Sequence, residues 1–161
     1  MPFSLIRFNL IDPTLDSQSL SDRYKAMLDM AEFADQNGFF MATFEEHHGA
    51  DNAWSPTPLM NAGTVLARTT TLSASISALL LPLHDPIRVA EDIAVIDLMS
   101  GGRLTVIFGL GYRPSEYQLM GKDWDNRGKI MDESIQTLLD AWTGEPFQYK
   151  GETHRITPSP L

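Results

Sequence analysis

The 161 residues suffice for one domain with a real core and are too few for two sizeable ones. A formal net charge of -9 repels phosphate backbones, which argues against nucleic acid and anionic membrane as partners. The absence of cysteine excludes a disulfide framework, a thiolate metal site and a cysteine nucleophile. The start, Met1 to Arg7, lacks the pattern of a signal peptide, and the longest apolar run, Ala78 to Leu83, falls far below the roughly 18 residues of a membrane span. A cytoplasmic location is the expectation.

Short apolar runs alternate with amphipathic helices. Ser4 to Ile11 reads as a strand, broken by Asp12-Pro13. Leu20 to Asn37 reads as a helix whose inner face is Leu20, Tyr24, Met27, Leu28, Ala31 and Ala34, with Ser19 as N-cap and Gly38 as terminator. Phe39 to Phe44 is the second strand, and a polar loop from Glu45 to Pro56 follows. Pro58 to Arg68 is the next helix, with proline at its first turn. Leu72 to Leu81 is a nearly continuous apolar strand of the kind buried on both faces, ended by Pro82.

Asp85-Pro86 opens a third helix with inner positions Val89, Ile93, Ile96 and Met99, and Gly101-Gly102 closes it. Leu104 to Phe108 is the fourth strand. Gly109 to Arg127 is a long loop with room for a short helix. Ile130 to Trp142 is the fourth helix, its stripe formed by Met131, Ile135, Leu138, Leu139 and Trp142. Phe147 to Ile156 fits a small hairpin turning at Lys150-Gly151.

This β-α-β-α-β-α-β-α order implies parallel strands with right-handed crossovers. It fits an open doubly wound sheet or half of an eight-stranded barrel. A whole barrel takes about 250 residues, so the second option predicts about four βα units of a larger fold.

In both architectures ligands bind beyond the carboxyl ends of strands. Glu45-Glu46-His47-His48, Ser77-Ala78-Leu79 to His84, and Gly109-Leu110-Gly111-Tyr112 occupy those ends. Histidine titrates near neutrality and both donates and accepts, which suits work beside a reactive oxygen. The pair also reads as loop histidines satisfied locally, or, with Glu46 and Asp51, as metal ligand types. The glycines of 109–111 allow close backbone approach, but Pro114 stands where a dinucleotide fingerprint has its third glycine. Arg103, at a strand start, reads as a structural ion pair or helix-end contact. Asp85 reads as an N-cap, and His154 shows no evident partner.

Taken together, these residues resemble the bacterial-luciferase-like flavin-dependent monooxygenases over nearly the whole chain. The resemblance rests on Glu46-His47-His48, Ala67-Arg68-Thr69, Leu81-Pro82, Pro86-Ile87-Arg88, Glu91-Asp92, Asp97-Leu98-Met99-Ser100-Gly101-Gly102-Arg103, Gly109-Leu110-Gly111, and Trp142-Thr143-Gly144. It implies the first half of a (β/α)8 TIM barrel. It implies reduced FMN, or the deazaflavin F420 in one branch, with O2 and a small organic substrate as partners. His47 matches the family's catalytic histidine. Glu46, Ser77, Ala78, Gly109, Gly111 and Tyr112 fall where the family meets its cofactor, and Ser77-Ala78 matches a bond that is cis in several members. In luciferase proper an arginine helps hold the FMN phosphate; Leu110 stands in its place. A half-barrel leaves open sheet edges, so a homo-oligomer or a complementary half-barrel is expected. A non-catalytic half-barrel fragment, an F420-dependent hydride-transfer enzyme and a metal-dependent barrel hydrolase using Glu46, His47 and His48 are the alternatives.

Overall fold

The computed structural model describes residues 3–160. In chain order these form β1 (Leu5–Phe8), α1 (Ser17–Gln36), β2 (Met41–Phe44), α2 (Pro58–Arg68), β3 (Ser73–Leu79), a 3-10 turn (Leu81–Leu83), α3 (Pro86–Ser100), β4 (Leu104–Phe108), α4 (Pro114–Leu119), α5 (Arg127–Trp142), β5 (Phe147–Tyr149) and β6 (Glu152–His154). Two compact units result. The first comprises the chain through Leu79 together with Arg103–Phe108, and the second comprises Leu80–Gly102 and Gly109 onward.

In the first unit β1, β2, β3 and β4 form a four-stranded parallel sheet in that order. Each strand lies beside its predecessor, with no reversal of order. A doubly wound sheet reverses at its switch point, so the sequential order selects the half-barrel of the two architectures. Alternation along the strands separates two faces. Phe8, Phe44, Ile76 and Val106 share one register row, and the Phe8 and Phe44 rings stack at 5.8 Å. The first three are buried, as are Met27, Ala31 and Ala34 of α1 and Ala62, Val65 and Leu66 of α2. The other face carries Arg7, Thr43, Ser75 and Thr105 in one row. It is open at the outer strands, where Leu5 is 58% exposed and Ile107 51%, and closed at Ser75 in the middle of β3.

Side-chain ties fix the edge where the strands begin. Asp35, near the end of α1, accepts hydrogen bonds from the backbone N–H groups of Thr70, Thr71 and Leu72 at 2.6–2.8 Å and from both threonine hydroxyls. Arg103, just before β4, donates to the carbonyls of Leu66 and Leu72 at 2.7 and 2.8 Å and to the Thr69 hydroxyl at 3.2 Å. The structural reading of Arg103 holds. At the opposite edge Asp12, fully buried, accepts from the Ser19 hydroxyl, from Thr14 and from Arg23.

These carboxylates make stability acid-sensitive. Hydrogen bonds from the Ser19 hydroxyl and then from Thr14 hold Asp12 well below the usual carboxylate range. Burial pushes Asp35 up, but the donors at Thr70, Thr71 and Leu72 outweigh it and the net shift is also downward. Both groups bind protons less tightly folded than unfolded. Their contribution is therefore complete above the unfolded value near pH ~4 and fades as pH falls below it. Urea midpoints measured from pH 7 to pH 2 should show this decline. Asp35→Asn should lower stability by about 1–2 kcal/mol near neutrality, since Asp35 is partly exposed, and should flatten the acid limb.

In the second unit Asp85 caps α3 by accepting from the N–H groups of Ile87 and Arg88. Gly101 ends it in the left-handed region at φ 70°. Helices α3 and α5 pack together, and the Trp142 indole donates to the Ala90 carbonyl at 3.1 Å. Tyr117 is fully buried with Leu80 and Leu83, its ring edge-on to Trp124 at 5.2 Å. Strands β5 and β6 pair antiparallel through Lys150 and Gly151, both at positive φ, as a two-residue hairpin turn requires.

Several boundaries differ from the sequence reading. The α1 N-cap is Asp16, which accepts from Ser19 N–H, because the helix starts at Ser17 and takes in Ser19. β3 stops at Leu79, since Leu81-Pro82-Leu83 curls into a 3-10 turn. On α3 the buried face is Val89, Ala90, Ile93 and Ala94, while Met99 is 55% exposed; on α5 Ser134 and Ala141 are buried and Leu139 is exposed. Small residues take part in these faces, which hydrophobic periodicity alone does not register. No helix among the described residues is long and apolar enough to cross a membrane.

Candidate functional site

Because β2 and β3 are parallel and Phe44 pairs with Ile76, the segments following both strands leave the same edge of the sheet. Glu45 to His48 emerge from β2 into the polar loop, and all four residues are buried. Glu45 accepts a hydrogen bond from the Arg7 guanidinium, and its other oxygen, Oε1, is buried without a hydrogen-bond partner among the described residues. Glu46 Oε1 and His48 Nε2 lie 2.7 Å apart, both side chains almost wholly enclosed.

His47 is placed differently from its neighbour. Its ring stacks on the Trp54 indole, centroids 3.7 Å apart and planes 36° apart. Its backbone N–H donates to the Ser55 carbonyl at 2.9 Å. Ser55 is itself enclosed; its N–H donates to Asn9 O and its hydroxyl accepts from Asn61 on α2 at 2.8 Å. Adjacent residues leaving a strand point apart, and the two imidazoles obey that rule. Of the four loop residues weighed as metal ligand types, Glu46 and His48 come together, His47 turns to Trp54, and Asp51 is exposed.

At the end of β3 the Ser77-Ala78 peptide is cis, and the pairing with β4 shifts register between Ser77 and Leu79. Ser77 is exposed and Ala78 half-buried. The strand end therefore presents backbone and two small side chains.

Gly109 follows β4 directly and belongs, with Gly111 and Tyr112, to the second unit. Gly111 has φ 73°, and a Cβ there would meet Leu80 Cδ1 at 3.4 Å and the Tyr117 ring at 3.6 Å. Tyr112 is 68% exposed. His154 lies 6.0 Å from the Tyr149 ring and 6.3 Å from Phe147, so it packs within the hairpin. The same unit holds a cleft of about 480 Å³ lined in part by His84, Asp85, Lys122, Glu133, Tyr149 and Lys150; it contains none of the expected site residues.

The sequence reading gave roles to Glu46, His47, Ser77 and Ala78, named Glu45 without a role, and passed over Trp54, Ser55 and Asn61. Trp54 carries a legible signal, a lone aromatic residue within an otherwise polar loop. Ser55 and Asn61 carry none, because their role is a hydrogen bond between a loop and a helix face.

The luciferase-like monooxygenase family model matches residues 1–161. The oxygenase component of the flavin-dependent trigonelline monooxygenase of Acinetobacter baylyi is 27% identical over 154 residues, covering 94% of this chain and 42% of that protein. The solved structure of the monooxygenase RslO1 from Streptomyces bottropensis superimposes with a TM-score of 0.85 at 27% identity, covering 99% of this chain and 50% of that one. The oxygenating constituent of 3,6-diketocamphane monooxygenase from Pseudomonas putida, solved in complex with FMN, gives a TM-score of 0.83 at 20% identity over 96% of this chain and 43% of that one. The chain thus spans about half the length of the relatives it matches. By sequence order, strand topology and these matches, it belongs to the luciferase-like monooxygenase family.

Proposed function

We propose that this chain supplies the β1–β4 half of a flavin-dependent monooxygenase that uses reduced FMN and O2 on a small organic substrate. The observation that carries the reading is the shared edge, where His47 leaves β2 beside the bulged end of β3. The residues there suit a planar ring: Ser77 and Ala78 offer no bulky side chain, and Ser77 is exposed. The flavin dependence of the trigonelline enzyme and the FMN bound to the camphane enzyme support the same cofactor for this chain.

When bound, reduced FMN supplies the two electrons that activate O2. The role assigned to this chain is positional and protonic. The Ser77-Ala78 backbone supports the ring, with Glu46, Gly109, Gly111 and Tyr112 as further cofactor-binding residues. His47 holds or donates a proton at the oxygen that develops charge. The buried loop around it excludes water that would otherwise compete. A complementary half-barrel, or a second copy, completes the site by covering the open face and pairing with the free edges of β1 and β4.

Titration of the chain with reduced FMN and with reduced F420 under anaerobic conditions, followed by exposure to O2, tests the reading. Preferential FMN binding with O2-dependent reoxidation is expected. Binding of F420 alone, with no response to O2, would favour hydride transfer, and binding of neither would favour the non-catalytic fragment.

A further inference from the structure

We infer that Trp54 is a positioning residue for His47: its indole face fixes the plane of the imidazole. The inference rests on the reading of His47 as the proton-handling group. The rings are 3.7 Å apart between centroids and 36° from parallel. The loop carrying the indole is fastened at several points. Asp12 N–H donates to Asn52 O at 2.8 Å, Trp54 N–H to Asn52 Oδ1 at 3.3 Å, and His47 N–H to Ser55 O at 2.9 Å. The Asn61 amide holds the Ser55 hydroxyl from α2. The indole is thus set at a fixed height against the histidine by bonds that do not involve its own ring.

The indole nitrogen itself is buried without a hydrogen-bond partner among the described residues. What Trp54 contributes is therefore its face. A stacked contact restrains an imidazole plane while engaging neither ring nitrogen as donor or acceptor. His48, next in the chain, is oriented by the contrasting device of a carboxylate, Glu46, at 2.7 Å. The two adjacent imidazoles thus meet different neighbours, His48 the Glu46 carboxylate and His47 the Trp54 ring. Phenylalanine at position 54 keeps an aromatic face and removes the buried indole donor; leucine removes the face.

Proton–carbon correlation NMR of the full chain, which has four histidines, reads the effect directly. The His47→Gln variant identifies the His47 Cε1–H signal. In the unmodified chain that signal should be sharp and shifted upfield by the indole ring current. Trp54→Phe should retain a reduced upfield shift, and Trp54→Leu should lose it and broaden. In the flavin-loaded complete enzyme Trp54→Leu should lower kcat by about 10- to 100-fold with KM little changed, the scale of a misplaced catalytic group, and Trp54→Phe should restore most of it. An unchanged His47 signal in Trp54→Leu overturns the inference. If the leucine variant does not fold, the phenylalanine variant decides, retained upfield shift supporting the inference and its loss overturning it. An NMR result as expected, with His47→Gln leaving turnover intact, would instead sink the proton-handling role while the stack stands.

Discussion

Replacing Arg103 with methionine should lower the unfolding free energy by about 2–4 kcal/mol, the scale expected when several hydrogen bonds from one charged group are lost together. The guanidinium bridges the last turn of α2 and the start of β3 by bonding Leu66 O, Thr69 Oγ1 and Leu72 O. The Leu66 carbonyl is among the final carbonyls of α2, which have no partner within the helix. A cation there also meets the negative end of the helix dipole. Methionine fills similar space and leaves those acceptors unserved. Urea denaturation should show a lower midpoint with an unchanged slope. Arg103→Lys should recover only part of the loss, because an ammonium cannot reproduce the planar fork that reaches three oxygens in different directions. Full recovery with lysine would show that charge alone matters.

The neighbouring histidines should separate by phenotype. His47→Gln is expected to lower turnover of the complete flavin-loaded enzyme by about 10²–10⁴-fold, the range for loss of a general acid or base. Glutamine can hydrogen-bond but cannot exchange a proton near neutral pH, so flavin binding should persist while the rate falls. His48→Ala should act on stability instead, by about 1.5–3 kcal/mol, because it removes the imidazole that meets the Glu46 carboxylate at 2.7 Å in an enclosed site. Stopped-flow kinetics and thermal melts of the two variants make the comparison. Equal loss of rate in both would remove the distinction drawn from the Trp54 stack and the Glu46 contact.

The β-α alternation was legible because it depends on local patterns. Pro58 to Arg68 and Leu104 to Phe108 coincide with the observed elements, since proline, glycine and apolar runs delimit them sharply. Helix faces were legible in part. Met27, Ala31 and Ala34 fit the periodic reading of α1, whereas Ala90 and Ala94 of α3 and Ser134 and Ala141 of α5 lie inside and Met99 and Leu139 turn outward. Periodicity also left the sheet architecture open, because both alternatives share the same local pattern; strand order is a property of distant pairing.

For the site, residue type and order pointed to His47 and to Ser77-Ala78, and family resemblance supplied their roles. The partner of each side chain was not legible. Nothing in the pattern Glu46-His47-His48 says that the first residue would turn to the third or the second to Trp54. Those choices arise from which direction each residue faces on leaving β2 and from a loop closed by Ser55, seven to eight residues further along.

The placement of Asp35 and Arg103 has a bearing on how readily such a fold acquires new chemistries. Both staples grip the margin from which β3 and β4 set out, whereas His47 and the Ser77-Ala78 bulge reside at the far margin. Exchange of the segment between β2 and α2 for one of different length and composition therefore leaves these two staples in place. Diversification by loop grafting can proceed on one margin while the other serves as a fixed chassis.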